Sequence, residues 1–253
     1  MDLLVPDWPA PAGVRALHTT RAGGVSAAPY DSLNLGDHVG DAPQAVVRNR
    51  QLLARQTGGV PVFLQQVHGA AVVPLSPQGS AEPLQADASW TSRTGVACTI
   101  LVADCLPVLF CDREGRAVAA AHAGWRGLAG GVLEATVAAL RAALPHGAEL
   151  LAWLGPCIGP AAFEVGEEVK AAFEAGHAEA VRHFRARAGD AVHGKWLADL
   201  PALARLRLRA AGVPSVHGND GSAAWCTVAN ASRFFSYRRD GVCGRMAASV
   251  WRV

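Results

Sequence analysis

The sequence predicts an α+β fold, a single domain over residues 1–253 with mixed β-sheets flanked by helices. Three observations carry this expectation. Apolar runs at 108–111 and 116–121 bracket Asp112-Arg113-Glu114-Gly115, which has the composition of a turn, so a hairpin is expected there. Elsewhere, long segments repeat apolar residues at helical spacing. Hairpins and strand-helix units therefore occur together, which argues against a purely parallel doubly wound sheet.

In chain order, Ala42 to Thr57 reads as the first helix and Val60 to Leu64 as the first strand. Segment 74–86 (PLSPQGSAEPLQA) is polar and proline-containing, as an exposed loop would be. Strands follow at Val96 to Ala103, Val108 to Cys111 and Arg116 to Ala121. Pro107 is a point where the ladder could end early. After Gly131, Leu133, Val137, Leu140 and Leu144 form a helical stripe that Pro145 and Gly147 stop. Leu150 to Leu154 is a strand and Glu164 to Ala175 a helix. From Leu197, the series Leu200, Ala204, Leu208 and Ala211 makes a further helix ended by Gly212. Ala247 to Val253 reads as the last strand.

With 253 residues, 51% hydrophobic and 17% charged, the chain can bury a full core and is not disordered. A net charge of +2 leaves no nucleic-acid footprint. Arg205, Arg207 and Arg209 read as a solvated helix face, beside the pair Arg238-Arg239. No apolar stretch reaches the length of a membrane span, and the N-terminus lacks the features of a signal peptide. Six cysteines without regular spacing fit a reducing compartment, so a cytoplasmic protein is expected; a monomer is expected as well. Cys98, Cys111, Cys157, Cys226 and Cys243 read as buried thiols, and His146, His177, His183 and His217 as surface residues.

Three short blocks stand out: QQVHGA (65–70), VADCLPVLF (102–110) and AAAHAGWRG (119–127). Each supplies one soft or borderline metal ligand: His68, Cys105 and His122. Three nitrogen and sulfur ligands are what a catalytic zinc uses, because its fourth position stays open. If Cys111 faces Arg116 across the turn, paired residue numbers sum to 227 and Cys105 stands opposite His122. Opposed Cβ atoms lie about 4.5–5.5 Å apart, and a one-residue slip would separate the two side chains. Taken singly, Cys105 also reads as a small buried residue and His68 as a turn histidine.

Ala123-Gly124-Trp125-Arg126-Gly127 follows a strand and leads into a helix, where glycines permit close backbone approach. Arg126, with the Gly124 and Gly127 amides, could clamp phosphate or carboxylate; the plain alternative is a tight connection with Arg126 exposed. Arg21 in a glycine-rich loop and Arg48 on a helix are further cationic anchors, each equally readable as a surface residue.

At these residues, together with TTRAGGVS, SLNLGDHVGD, GPCIGPAAFEVGEEV and FFSYRRDGVCGRMAASV, the chain resembles a known family over nearly its whole length. That family is the polyphenol oxidase or purine nucleoside phosphorylase family, the bacterial relatives of laccase domain-containing protein 1, including the peptidoglycan editing factor group. The family's metal ligands fall on His68, Cys105 and His122. The resemblance implies zinc, a single domain of the cysteine-hydrolase-like type, and catalytic roles for Cys105, His122 and His68. It implies phosphorolysis of adenosine, inosine, guanosine and methylthioadenosine, with phosphate as second substrate, and deamination of adenosine. It also brings Asn34 and His38 near the substrate, Asn34 as a reader of ribose or purine or, alternatively, as an Asx-turn residue. Two departures are Cys243, where threonine is expected, and Ala162, where cysteine or another small residue is frequent.

Two other enzyme readings stay open. One is an amidase removing wrong amino acids from cell-wall nucleotide precursors, with Cys105 as nucleophile and His122 as base, or metal-activated water. The other, a copper polyphenol oxidase, fits poorly, since the nine histidines include no His-x-His pair. A non-enzymatic metal-binding module is disfavoured, since a purely structural zinc would want four ligands.

Overall fold

A computed structural model describes residues 1–77, 84–186 and 194–253. A five-stranded sheet runs β1 (Leu3–Leu4), β2 (Val14–Thr19), β14 (Met246–Arg252), β6 (Val96–Val102) and β3 (Val60–Phe63). A six-stranded sheet runs β13 (Ser215–Gly218), β9 (Leu150–Leu154), β7 (Leu106–Asp112), β8 (Val118–Ala123), β5 (Ala88–Thr91) and β4 (Val72–Pro74). Both are mixed: β3–β6, β13–β9 and β4–β5 are parallel pairs among antiparallel neighbours. A small antiparallel sheet joins β10 (Glu164–Gly166), β12 (Lys195–Ala198) and β11 (Phe184–Ala186).

The two large sheets pack face to face. Leu109 and Cys111 of β7 and Val118 and Ala120 of β8 meet Cys98 and Ile100 of β6 and Val250 of β14. The alternate residues, Val108, Phe110, Ala119 and Ala121, pack against helix α3 (Val132–Ala143) and helix α5 (Leu200–Ala210). Outside the five-stranded sheet, helix α1 (Pro43–Ala54) places Leu53 among Leu17, Ala97 and Leu101. Both faces of β6, β7, β8 and β9 are thus covered, and every residue in them is buried. The remaining helices are α2 (Trp125–Ala129), α4 (Glu167–Gly176) and α6 (Tyr237–Asp240). No described helix is long and apolar enough to cross a membrane.

Two helix starts differ from the sequence reading. Residues 164–166 form β10 against β12, so α4 begins only after Gly166. The stretch from Lys195 is also a strand; α5 starts at Leu200, where the Asp199 carboxylate accepts the Ala202 amide at 2.9 Å. Of the arginines of α5, Arg209 is exposed as a solvated face would have it, but Arg205 and Arg207 are not. Arg207 is buried with its Nε donating to Glu134 at 2.7 Å, and Arg205 donates to the Asn219 and Gly218 carbonyls. In the loop expected at 74–86, Pro74 ends β4 and Gln85 bridges Gln65, while 78–83 lie outside the described residues.

Candidate metal centre

The hairpin that carries two of the expected ligands is shifted by two residues. Cys111 pairs with Val118, not Arg116, and His122 faces Pro107. Asp112 lengthens the turn: its carboxylate accepts the Arg116 amide at 2.6 Å, the Ala117 amide at 2.9 Å and Arg116 Nε at 2.8 Å. A shift of two keeps side-chain parity, so Cys105, one residue before β7, stays on the same face as His122 as its diagonal neighbour. Pro107 does not end the ladder, which continues to Leu106 and Ala123.

His68 arrives from the connection between β3 and β4, and the ligand atoms of His68, Cys105 and His122 lie within 4.8 Å of one another. Cys105 Sγ is 3.8 Å from His68 Nε2, and the two imidazole rings are 4.8 Å apart and inclined at 76°. Zinc bond lengths of about 2.0–2.3 Å in tetrahedral geometry require ligand separations of about 3.3–3.6 Å, so the three side chains would have to close by up to about 1 Å to hold such an ion. His68 and Asp104 are the two non-glycine residues with positive φ among those described, at 61° and 86°. Such backbone costs energy and is kept where surrounding bonds determine it. At Asp104 those bonds are visible: its carboxylate accepts Thr227 Oγ1 and the Arg238 amide, each at 2.6 Å.

Asp87, just ahead of β5, is the residue the sequence reading missed. It is fully buried, and its carboxylate accepts the Val67, His68 and Gly69 amides at 3.2, 2.9 and 2.7 Å. His122 Nδ1 lies 2.8 Å from the same carboxylate, leaving Nε2 as that ring's ligand atom. Its sequence signal was a lone acidic residue between Ala86 and Ala88 at a strand head. The glycine of the GWRG block has a steric reason: a Cβ on Gly124 would stand 2.9 Å from His68 Cδ2 and 3.1 Å from Cys105 Sγ.

Burial by itself raises the Cys105 thiol, but the charge and hydrogen bond of His122, reinforced by His68, carry it down to about 6. Burial lowers His122, while the Cys105 thiolate and the Asp87 hydrogen bond outweigh it and raise the ring to about 9. Burial also raises the Asp87 carboxyl, and the His122 and backbone hydrogen bonds more than offset it, so its pKa is lowered. Without metal, the cluster is a thiolate–imidazolium–carboxylate row.

The three ligand residues line a cleft of about 1130 Å³. Arg126 and His38 line it too; Arg126 is exposed and lies over the Trp125 ring at 4.4 Å. Its helix, α2, is five residues long, too short to act as an anion-binding terminus. Three other expected residues are not part of this lining. Asn34 is buried with both ends of its amide committed, accepting the Gly36 and Arg245 amides and donating to Gly36 O and Asp41. Arg21 ion-pairs with Asp31 at 3.3 Å and stacks on Phe235, and Arg48 is exposed, reaching only Gln51. The cleft instead presents Arg50, Arg238 and Arg245. Arg245 Nη1 is held by the carbonyls of Cys243 and Gly244, and among the described residues no carboxylate pairs with it or with Arg126.

The family described as multi-copper polyphenol oxidoreductase laccase matches residues 15–253. A purine nucleoside phosphorylase of Pseudomonas aeruginosa is 57% identical over 248 residues, covering 98% of this chain and 97% of the relative. A purine nucleoside phosphorylase of Escherichia coli is 50% identical over 253 residues, covering 99% of each. Among solved structures, a Neisseria meningitidis protein superposes with a TM-score of 0.92 at 51% identity, covering 100% of this chain and 99% of that one. YlmD from Geobacillus stearothermophilus gives 0.86 at 33% identity, covering 95% and 92%.

Proposed function

This chain belongs to the multi-copper polyphenol oxidoreductase laccase family, and on that premise we propose that it is a zinc-dependent purine nucleoside phosphorylase that also deaminates adenosine. The observation that carries the reading is the convergence of His68, Cys105 and His122 on the wall of a cleft that also holds unpaired arginines. Relatives at 50–57% identity bear the phosphorylase name. The donor set favours one borderline ion over a multicopper array: it is the single group of three such residues among those described.

Zinc held by such a set would supply Lewis-acid activation of water, the chemistry that hydrolytic loss of the adenine amino group as ammonia needs. The chain's own residues do the rest. Trp125, Phe163 and Tyr237 offer aromatic faces to a purine in the cleft. Arg126 and Arg245 are the anchors for phosphate, whose oxygen bonds to C1′ as the glycosidic bond breaks and the purine leaves with the electron pair and a proton. Asp87 holds the proton on His122 Nδ1, so that ring stays oriented through turnover. The proposal takes residues 1–253 as one monomeric, cytoplasmic domain of the cysteine-hydrolase-like type.

One observation favours a second reading. Cys105, His122 and Asp87 stand in the order nucleophile, base and orienting carboxylate, as a thiol amidase acting on cell-wall nucleotide precursors requires. Incubating zinc-loaded protein with adenosine separates the two. Adenine and ribose 1-phosphate are expected only when phosphate is added, inosine with or without it, and hypoxanthine only with phosphate. Absence of any purine product, with release of an amino acid from a cell-wall nucleotide precursor, overturns the phosphorylase reading.

A further inference from the structure

We infer that Asp87 is the positioning residue of the metal centre, one carboxylate fixing both the backbone of His68 and the ring tautomer of His122. The inference rests on the metal reading above. Oδ1 accepts the His68 amide at 2.9 Å and His122 Nδ1 at 2.8 Å; Oδ2 accepts the Gly69 amide at 2.7 Å and the Val67 amide at 3.2 Å. Three of these donors are backbone N–H groups and cannot reverse their role. An acceptor facing Nδ1 places the ring proton there, which leaves the Nε2 lone pair free for an ion.

The main chain adds to the same junction. The His122 amide donates to the Asp87 carbonyl at 2.7 Å, and the Asp87 amide donates to the Ala71 carbonyl at 3.1 Å. His68 holds its left-handed φ of 61° while its own amide and those on either side converge on this carboxylate. The side chain is wholly buried, so water cannot substitute for it. Two ligands that are far apart in sequence thus depend on a third residue that lies outside the ligand cluster and the cleft lining.

An isosteric change exposes the dependence. In Asp87→Asn one oxygen becomes an NH2 group, and neither orientation is harmless. With the nitrogen in the Oδ1 position, it points at His122 Nδ1, forcing that atom to accept and moving the ring proton to Nε2, where it blocks the ligand. With the nitrogen in the Oδ2 position, it confronts the Val67 and Gly69 amides and pushes the His68 loop away.

The test strips and reloads the full chain with zinc and measures affinity by competition with a chromophoric chelator. Asp87→Asn is expected to bind zinc roughly 10- to 100-fold more weakly than wild type. Asp112→Asn, an equally buried carboxylate at the other end of the hairpin, should lower thermal stability and leave zinc affinity alone. Nitrogen-15 shifts of the zinc-loaded wild type should show a protonated Nδ1 on His122. If Asp87→Asn does not fold, Asp87→Glu keeps the charge but displaces it by one methylene, and a smaller loss of affinity is expected. Wild-type affinity in a folded Asp87 variant overturns the inference alone; a wild-type chain that takes up no zinc overturns the metal reading and this inference with it.

Discussion

Within the cleft, the ligand cluster and the arginines that share its lining are held by opposite means. His68, Cys105 and His122 are set by Asp87, by left-handed backbone and by a glycine that admits no Cβ. Arg126 lies on the face of Trp125, and Arg245 hangs from carbonyls of its own segment near Tyr237, without carboxylate partners. Metal ligation tolerates displacements of only a few tenths of an ångström, so its supports are buried and numerous. Anion binding by guanidinium needs charge and a fork rather than a fixed point, and unpaired arginines keep both available. Damage to the first group should therefore abolish a property, while damage to the second should grade it.

The largest expected effect is all-or-none. Cys105→Ala should lose stoichiometric zinc while far-UV circular dichroism and chain compactness are retained, because Cys105 is only half-buried and its removal leaves no deep cavity. Elemental analysis after gel filtration reads the result directly. Full zinc retention in this variant would mean that the cluster is not the metal site.

How much of this contrast was legible in the sequence follows the same division. The ligands were readable because each is a chemically distinctive residue in a distinctive block, and a strand's period of two places Cys105 and His122 on one face in either register. The register itself was misread because Asp112 caps the turn with its side chain, a bond that composition does not announce. Asp87 was hidden for a different reason: its partners are mostly backbone amides from a loop about twenty residues away, and backbone has no sequence signature. Arg126 does line the cleft, whereas Arg21 and Arg48 do not, because arginine is common and its role depends on which way an element faces. For Asn34 two roles were readable, substrate reader or Asx-turn residue, and its Oδ1 accepts the Gly36 amide as an Asx-turn does while Asp41 and Arg245 take up the rest of its amide. The short strands β10 to β13 escaped notice because three or four residues carry too little periodicity to detect.

The graded effect concerns the arginines. Arg126→Ala should raise the apparent KM for phosphate by roughly 10- to 150-fold, the equivalent of about 1.5–3 kcal/mol for a lost charge-assisted contact, with zinc content unchanged. Arg48→Ala should shift it by less than about twofold. Residues advance by about 100° along a helix, so Arg48 and Arg50 on α1 face nearly opposite ways, and it is Arg50 that lines the cleft. Steady-state kinetics at varied phosphate separates them; an equal effect from both would show that α1 sits differently against the cleft.

A further effect, about tenfold, reads the charge state of the ligand cluster in metal-stripped native protein. With the Cys105 thiol lowered to about 6 by His122 and His68, its thiolate predominates at pH 7 and is lost as pH falls through 6. Alkylation by iodoacetamide should therefore be about ten times slower at pH 5 than at pH 7, the ratio of thiolate populations for that pKa. Burial pushes Cys98 and Cys111 up to about 12, so peptide mapping at pH 7 should find the label on Cys105 ahead of either. Zinc should protect Cys105, since ligation and alkylation use the same lone pair. A labelling rate that rises only above pH 8 would mean that His122 does not carry the proton, and the thiolate–imidazolium row would have to be abandoned. The arginines offer no comparable signature, because a guanidinium keeps its charge across this whole range.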